Sequence, residues 1–150
     1  MQEDAVDHQP LHVLLVEDSD AHAMNVEKVF QGTHKEGTID RVRDGMDAIA
    51  YVRRQDQFQN RTLPHVILLD LKLPRMDGHQ VLRTLKGDDR FKMIPVVILT
   101  TSETETDVCE AYRLHANSYL VKPVDFARFR QLIGAVTSYW GAWNRPALEA

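Results

Sequence analysis

The sequence contains a single cysteine, Cys109, and no apolar run near the roughly 18 residues that a membrane-spanning helix needs. One cysteine excludes an intramolecular disulfide and a cysteine-based zinc site. The absence of disulfides is typical of a protein in a reducing, cytoplasmic setting. Seven glycines and six prolines are too few for a collagen-like or low-complexity chain. Positive charge is also scarce: 18 Lys and Arg against 22 Asp and Glu leave a net charge of -4, so we expect neither nucleic acid nor a membrane as a partner. The acidic start of the chain is unlike a signal peptide.

What is present is one domain's worth of chain, 150 residues of which 43% are hydrophobic. Short apolar segments alternate with segments of helical spacing. Runs this short suit strands that are covered on both faces. The predicted strands are Leu11–Val16, Thr38–Val42, His65–Asp70, Ile94–Thr100 and Ser118–Val121. The predicted helices are Ala21–Phe30, Gly45–Arg54, His79–Lys86, Thr104–Leu114 and Asp125–Trp140.

Five repeats of strand and helix predict an α/β fold with a parallel sheet and helices on both faces. We expect the domain to occupy residues 11–140, between a flexible N-terminal tail (1–10) and a C-terminal tail (141–150).

Polar residues follow the predicted strands at their carboxyl ends, where open α/β sheets bind ligands. Glu17 and Asp18 follow the first strand, Asp70 and Thr100 end the third and fourth, and Lys122 follows the fifth. Three carboxylates brought together repel one another, and a hard cation such as Mg²⁺ relieves that repulsion. A lysine and a threonine beside them supply the charge and the donor that stabilise a transferring phosphoryl group. Singly, each is an ordinary loop, cap or strand-end residue; together they favour a phosphoryl-transfer site.

Rival phosphate chemistries lack their motifs, because no P-loop, Gly-x-Gly-x-x-Gly or Gly-x-Ser-x-Gly pattern is present. Lys72 stands two residues after Asp70, where an aspartyl-phosphate phosphatase needs a second acid. Asp70 therefore looks like a phosphate acceptor without an acid/base partner. A Mg²⁺-dependent phosphohydrolase and a phosphorylation-independent adaptor are the open alternatives.

Four segments, LLVEDSD, VILLDLKLPRMDG, VVILTTSE and SYLVKPVD, resemble in order the receiver domain of two-component response regulators. The resemblance spans residues 11 to 140 and implies the flavodoxin-like receiver fold, a doubly wound five-stranded parallel sheet in the order 2-1-3-4-5. It implies that Asp70 accepts a phosphoryl group from a sensor histidine kinase. It also implies Mg²⁺ as the cofactor, held by Asp18, Asp70 and the backbone carbonyl of Lys72, with Glu17 holding metal-bound water.

The same resemblance assigns the other roles at the site. Lys122 pairs with the acyl phosphate, Thr100 and Tyr119 form the switch, and the Lys122–Pro123 peptide is cis. Such a protein catalyses only its own phosphotransfer and autodephosphorylation, so it is a switch rather than a turnover enzyme. A phosphate sink in a phosphorelay is an open alternative.

Two further segments, LHANSYLVKP and DGMDAIAYVRR, resemble response regulators that pair with bacterial and cyanobacterial phytochromes. They imply a phytochrome-like kinase as the partner. His115 stands where the family usually has glycine, so we expect a positive φ there.

The last predicted helix carries more apolar bulk than one intramolecular face needs, which indicates a homodimer through the last strand and last helix. An ordinary core stripe followed by an apolar tail is the alternative. The interface candidates are Phe126, Phe129, Tyr139, Trp140 and Trp143.

Overall fold

The computed structural model describes residues 10–147, in which five strands alternate with five α-helices. The strands are β1 (His12–Val16), β2 (Thr38–Val42), β3 (Val66–Leu69), β4 (Val96–Thr100) and β5 (Ser118–Val121). The helices are α1 (Asp20–Thr33), α2 (Gly45–Val52), α3 (Gly78–Lys86), α4 (Glu105–Arg113) and α5 (Phe126–Ser138). The predicted alternation is confirmed. The expected N-terminal tail lies outside the described residues except for Pro10, and so do the last three residues of the expected C-terminal tail.

All five strands are parallel and lie in the order β2-β1-β3-β4-β5, which confirms the doubly wound topology. The three central strands are buried along their whole length. The edge strands β2 and β5 are partly exposed. Continuous Val, Ile and Leu runs belong in the centre because helices cover both faces of a parallel sheet there. In the described part of the chain, no helix combines the length and the apolar character needed to cross a membrane.

The core has two layers, one on each face of the sheet. Alternate residues of the central strands face opposite layers, as Leu14 and Leu15 do. The helices α2, α3 and α4 cover the first layer, and α1 and α5 cover the second. The helical residues of the second layer are Ala23, Val26, Phe30, Phe129 and Ile133.

The last helix is shorter than predicted, because α5 ends at Ser138 and a π-helical turn follows over Tyr139–Trp143. Gly141 in that turn approaches His34, the residue that caps the end of α1, so closely that a Cβ atom would lie 2.5 Å from His34 Cε1. The same atom would lie 3.2 Å from Leu11 Cδ2. The turn therefore packs against the domain so closely that a larger residue at position 141 would require the His34 side chain to move.

One predicted interface residue is wrong. Phe129 is 1% exposed and belongs to the core, since it faces the sheet from the buried side of α5. Trp140 is half-buried against the same layer. Phe126, Tyr139 and Trp143 are exposed.

Candidate phosphoryl and metal site

Strand register brings the predicted site residues to one edge of the sheet. Val16 pairs with Leu69, and the amide of Asp70 donates a hydrogen bond of 3.1 Å to the carbonyl of Val16. Thr100 pairs with Val121 at the other side of the sheet. The residues that follow these pairs therefore emerge side by side, as the carboxyl-end rule predicts.

Three carboxylates form an acidic cluster at this edge. One oxygen each from Glu17, Asp18 and Asp70 lie within 4.8 Å of one another. Glu17 and Asp70 are buried, whereas Asp18 is exposed. An all-oxygen donor set with excess negative charge fits a hard divalent cation such as Mg²⁺. Burial raises the pKa of Glu17, and the hydrogen bond and charge of Lys122 act against that rise.

Lys122 extends from the end of β5 into the acidic cluster. Its Nζ lies 2.6 Å from Glu17 Oε1 and 3.0 Å from Asp70 Oδ2, and its side chain is only 2% exposed. One ammonium thus offsets part of the charge of three carboxylates. The remaining excess is negative, and it leaves the cluster able to attract a cation.

One residue of this site, His22, is not among the residues predicted from the sequence. Its Nδ1 lies 2.9 Å from Lys122 Nζ, and the ring meets Phe129 edge-on with centroids 5.7 Å apart. His22 lies in the first turn of α1, which begins just after β1, so its closeness to the carboxyl end of that strand was a usable signal.

Behind the acidic cluster, hydrogen bonds tie the end of β4 to the start of α4. Thr100 is fully buried, and its Oγ1 accepts a long bond of 3.4 Å from the amide of Ser102. Tyr119 donates from its hydroxyl to the carbonyl of Ser102 over 2.9 Å. Ser102 Oγ donates to Asp107 Oδ2 over 2.5 Å. Both predicted switch residues therefore reach one loop.

Two backbone predictions have opposite outcomes. His115 has a φ of 74°, so the predicted left-handed conformation before β5 is confirmed. The predicted cis peptide between Lys122 and Pro123 is wrong, because no peptide bond between residues 10 and 147 is cis. Trans is the favoured form even before proline, and Lys122 reaches both Glu17 and Asp70 with it.

A family model, the response regulator receiver domain, matches residues 13–134. The chain belongs to this family. The receiver domain is 43% identical over 136 residues to "Probable methanogenesis regulatory protein FilR2" of Methanothrix harundinacea, covering 91% of this chain and 87% of that protein. It is 39% identical over 131 residues to response regulator Rcp1 of Synechocystis, covering 87% of this chain and 89% of Rcp1.

The solved structures most similar in fold include response regulators, as do the sequence relatives. The Mn²⁺-bound form of Rcp1 superimposes with a TM-score of 0.87 at 37% identity, covering 91% of this chain and 99% of that one. The phosphorylated cyanobacterial phytochrome response regulator RcpA superimposes with a TM-score of 0.89 at 34% identity, covering 92% of this chain and 99% of that one. This receiver domain is therefore a homologue of phytochrome response regulators, and domains of this family are signalling modules rather than turnover enzymes.

Proposed function

We propose that this receiver domain accepts a phosphoryl group on Asp70 from the phosphohistidine of a cytoplasmic, phytochrome-like sensor histidine kinase. The observation that carries the proposal is the Lys122 ammonium, 3.0 Å from the Asp70 carboxylate inside an acidic cluster. Homology supports it, since RcpA is a phytochrome response regulator whose structure is that of the phosphorylated protein. The signal then passes on by contact with another protein.

The two oxygens of Asp70 are held unequally. Oδ2 accepts from Lys122 over 3.0 Å, whereas Oδ1 accepts only a long bond of 3.4 Å from the amide of Lys72. Oδ1 is therefore the freer nucleophile. Its attack forms an oxygen–phosphorus bond while the nitrogen–phosphorus bond of the donor breaks and the imidazole keeps the electron pair. Lys122 then offsets the negative charge of the phosphoryl oxygens.

Asp18, Asp70 and the backbone carbonyl of Lys72 would hold Mg²⁺, with Glu17 acting through a water molecule. When bound, the cation supplies positive charge that draws the phosphoryl oxygens toward Asp70. The oxygen donors of the acidic cluster support this assignment, as does the Mn²⁺-bound form of the related Rcp1.

The switch in this proposal runs through Thr100 and Tyr119. A phosphoryl group adds about two negative charges and three acceptor oxygens beside the end of β4. Thr100 Oγ1 moves toward them and gives up its bond with the amide of Ser102. Ser102 links Tyr119 to Asp107 in α4, so this movement changes the packing of α4 against β5.

The face formed by α4, β5 and α5 is the proposed homodimer interface. Several large apolar side chains are exposed on these elements and on the turn that follows α5. Val124, in the loop between β5 and α5, is fully exposed, and Trp143, in the turn after α5, is 80% exposed. A two-fold pair buries such a face against its own copy. The other exposed residues are Tyr112, Val121, Phe126 and Tyr139.

Labelling with acetyl phosphate tests the phosphoacceptor. We expect Mg²⁺-dependent incorporation of one phosphoryl group per chain, no incorporation in Asp70→Asn, and normal incorporation in the exposed control Asp89→Asn. Labelling that survives in Asp70→Asn contradicts the proposal. Continuous turnover of acetyl phosphate without a labelled chain indicates a phosphohydrolase instead.

Light scattering during gel filtration tests the dimer, with and without phosphorylation. We expect wild type to form a dimer at micromolar concentration and Phe126→Glu to be a monomer. Met93→Glu, a change at an exposed residue outside the proposed interface, serves as the control. A wild type that is monomeric in both states contradicts the interface.

A further inference from the structure

Lys122 uses all three hydrogens of its ammonium group, and one of its acceptors has no established role. Glu17 and Asp70 take two of the hydrogens. The third points to His22 Nδ1 at 2.9 Å. Because an ammonium group can only donate, Nδ1 must accept, and the imidazole is neutral with its proton on Nε2. His22 is thus the uncharged partner of a buried cation whose other partners are carboxylates.

His22 is itself held in place by two helices. Its amide donates to Ser19 Oγ over 3.2 Å at the start of α1, and its ring packs edge-on against the buried Phe129 of α5. The side chain is 31% exposed, whereas Lys122 beneath it is 2% exposed. The amide bond fixes the backbone of His22, and the contact with Phe129 restricts the ring, so Nδ1 stays close to Lys122. Burial and the charge of Lys122 lower the pKa of His22, which agrees with a neutral ring.

We propose that His22 is a positioning residue for phosphoryl transfer, which fixes the Lys122 ammonium beside Asp70 by accepting its third hydrogen. The inference rests on the proposed function. When Asp70 becomes an acyl phosphate, its carboxylate charge is replaced by phosphoryl oxygens farther from the strand. Lys122 must follow them while it keeps its other acceptors. Without His22 the ammonium is held only by Glu17 and the reacting group, so it spends less time in the reactive arrangement.

Three variants at this position separate the acceptor from the bulk of the side chain. His22→Leu keeps bulk but offers no acceptor, and we expect Mg²⁺-dependent labelling by acetyl phosphate to slow about ten-fold, the typical effect of losing one hydrogen bond to a charged group. His22→Asn places an amide oxygen near the position of Nδ1, and we expect its rate to return to within roughly three-fold of wild type. His22→Ala replaces His22→Leu if the leucine variant does not fold. Gln31→Leu, on the exposed surface of the same helix, is the control for a leucine in α1.

A purely structural role predicts a different pattern, since lost packing is not repaired by asparagine. Urea unfolding of each variant therefore accompanies the rate measurement. Equal rates for wild type and His22→Leu overturn the inference, and so does a His22→Asn variant as slow as His22→Leu. A wild-type chain that takes up no phosphate overturns the proposed function itself, and the inference with it. Labelled wild type together with an unaffected His22→Leu overturns the inference alone.

Discussion

Lys122 Nζ lies 2.6 Å from Glu17 Oε1, although 105 positions separate the two residues in the chain. Both side chains are almost wholly buried, with 2% and 1% of their surface exposed. The bond joins the end of β5 to the end of β1, strands with β3 and β4 between them. This ion pair therefore connects two strands that are not neighbours in the sheet. Because its residues belong to the acidic cluster, it links the stability of the fold to the chemistry of the site.

The first prediction concerns loss of the buried cation. Lys122→Met leaves Glu17 and Asp70 without their countercharge, so we expect roughly 3–5 kcal/mol less stability toward urea in the presence of a chelator. Mg²⁺ should restore more stability to the variant than it adds to wild type, because the cation replaces part of the lost charge. The surface pair of Lys92 with Asp89 provides a control, and Lys92→Met should change little. Equal stability of the Lys122 variant and wild type contradicts the prediction.

The second prediction concerns the metal. A ligand that binds only the folded chain stabilises it by about 2.7 kcal/mol at one hundred times its dissociation constant. We expect Mg²⁺ to raise the thermal midpoint of wild type and of Asp89→Asn, but to have little effect on Asp18→Asn. Asp18 is the exposed member of the cluster, so its replacement leaves the fold intact. An unchanged response to Mg²⁺ in Asp18→Asn would remove it from the ligand set.

The third prediction uses two glycines in different surroundings. A Cβ at Gly78 would lie 2.4 Å from the carbonyl oxygen of Asp70, whereas one at Gly32 would meet nothing within 4 Å. Gly78→Ala should therefore destabilise the chain by roughly 1–3 kcal/mol and slow phosphorylation, because it displaces the backbone of Asp70. Gly32→Ala, near the end of α1, should stabilise it by up to about 1 kcal/mol. Urea unfolding and acetyl phosphate labelling measure both effects, and equal behaviour of the two variants would count against the close contact.

The fourth prediction concerns a buried hydroxyl far from the acidic cluster. Tyr51 donates to Asp40 over 2.5 Å and lies 2.7 Å from His12 Nε2. Burial and Asp40 raise the pKa of Tyr51 well above its usual value, so the hydroxyl keeps its proton. Tyr51→Phe should cost about 1–3 kcal/mol, since both partners lose a bond. Tyr112→Phe, at an exposed position, should be neutral toward urea. A Tyr51→Phe variant as stable as wild type would mean that water replaces the hydroxyl.

The fifth prediction concerns pH. Burial lowers the pKa of His12, helped by His65 and Arg61 and opposed by Asp40. The unfolded chain therefore binds a proton near pH 6.5 that the folded chain resists, so stability contributed by neutral His12 should fall as the pH drops through this range. We expect a smaller loss of unfolding free energy between pH 7.5 and 5.5 in His12→Gln than in wild type. Comparing the two chains cancels the contribution of groups that do not interact with His12, such as Glu17. An identical pH slope in both chains contradicts the assignment to His12.

Much of the fold was predictable because it depends on local patterns. The apolar runs of β1, β3 and β4 are continuous because both faces of a central parallel strand are covered, and this is visible without coordinates. The acidic cluster was predictable for a related reason. Parallel strands end at a common edge, so residues that follow Val16, Leu69 and Val121 must meet there.

The residues that the sequence misjudged depend on neighbours from distant parts of the chain. Phe126 and Phe129 are equally apolar, but only Phe129 faces the sheet, where it meets His22 of α1. The peptide before Pro123 is trans. The cis and trans forms of such a bond differ little in energy, so the local sequence does not decide between them.

The sequence by itself determined the alternation of elements, the class of sheet and the charged residues at its carboxyl edge, because period, run length and residue type are local properties. Only the tertiary structure decided which side of α5 is buried and that the turn at Gly141 packs against His34. It also decided that His22 is the third hydrogen-bond acceptor of Lys122. Those outcomes are set by packing between segments that are far apart in the chain. The residue pattern of one helix does not specify which side chains of a distant helix will pack against it.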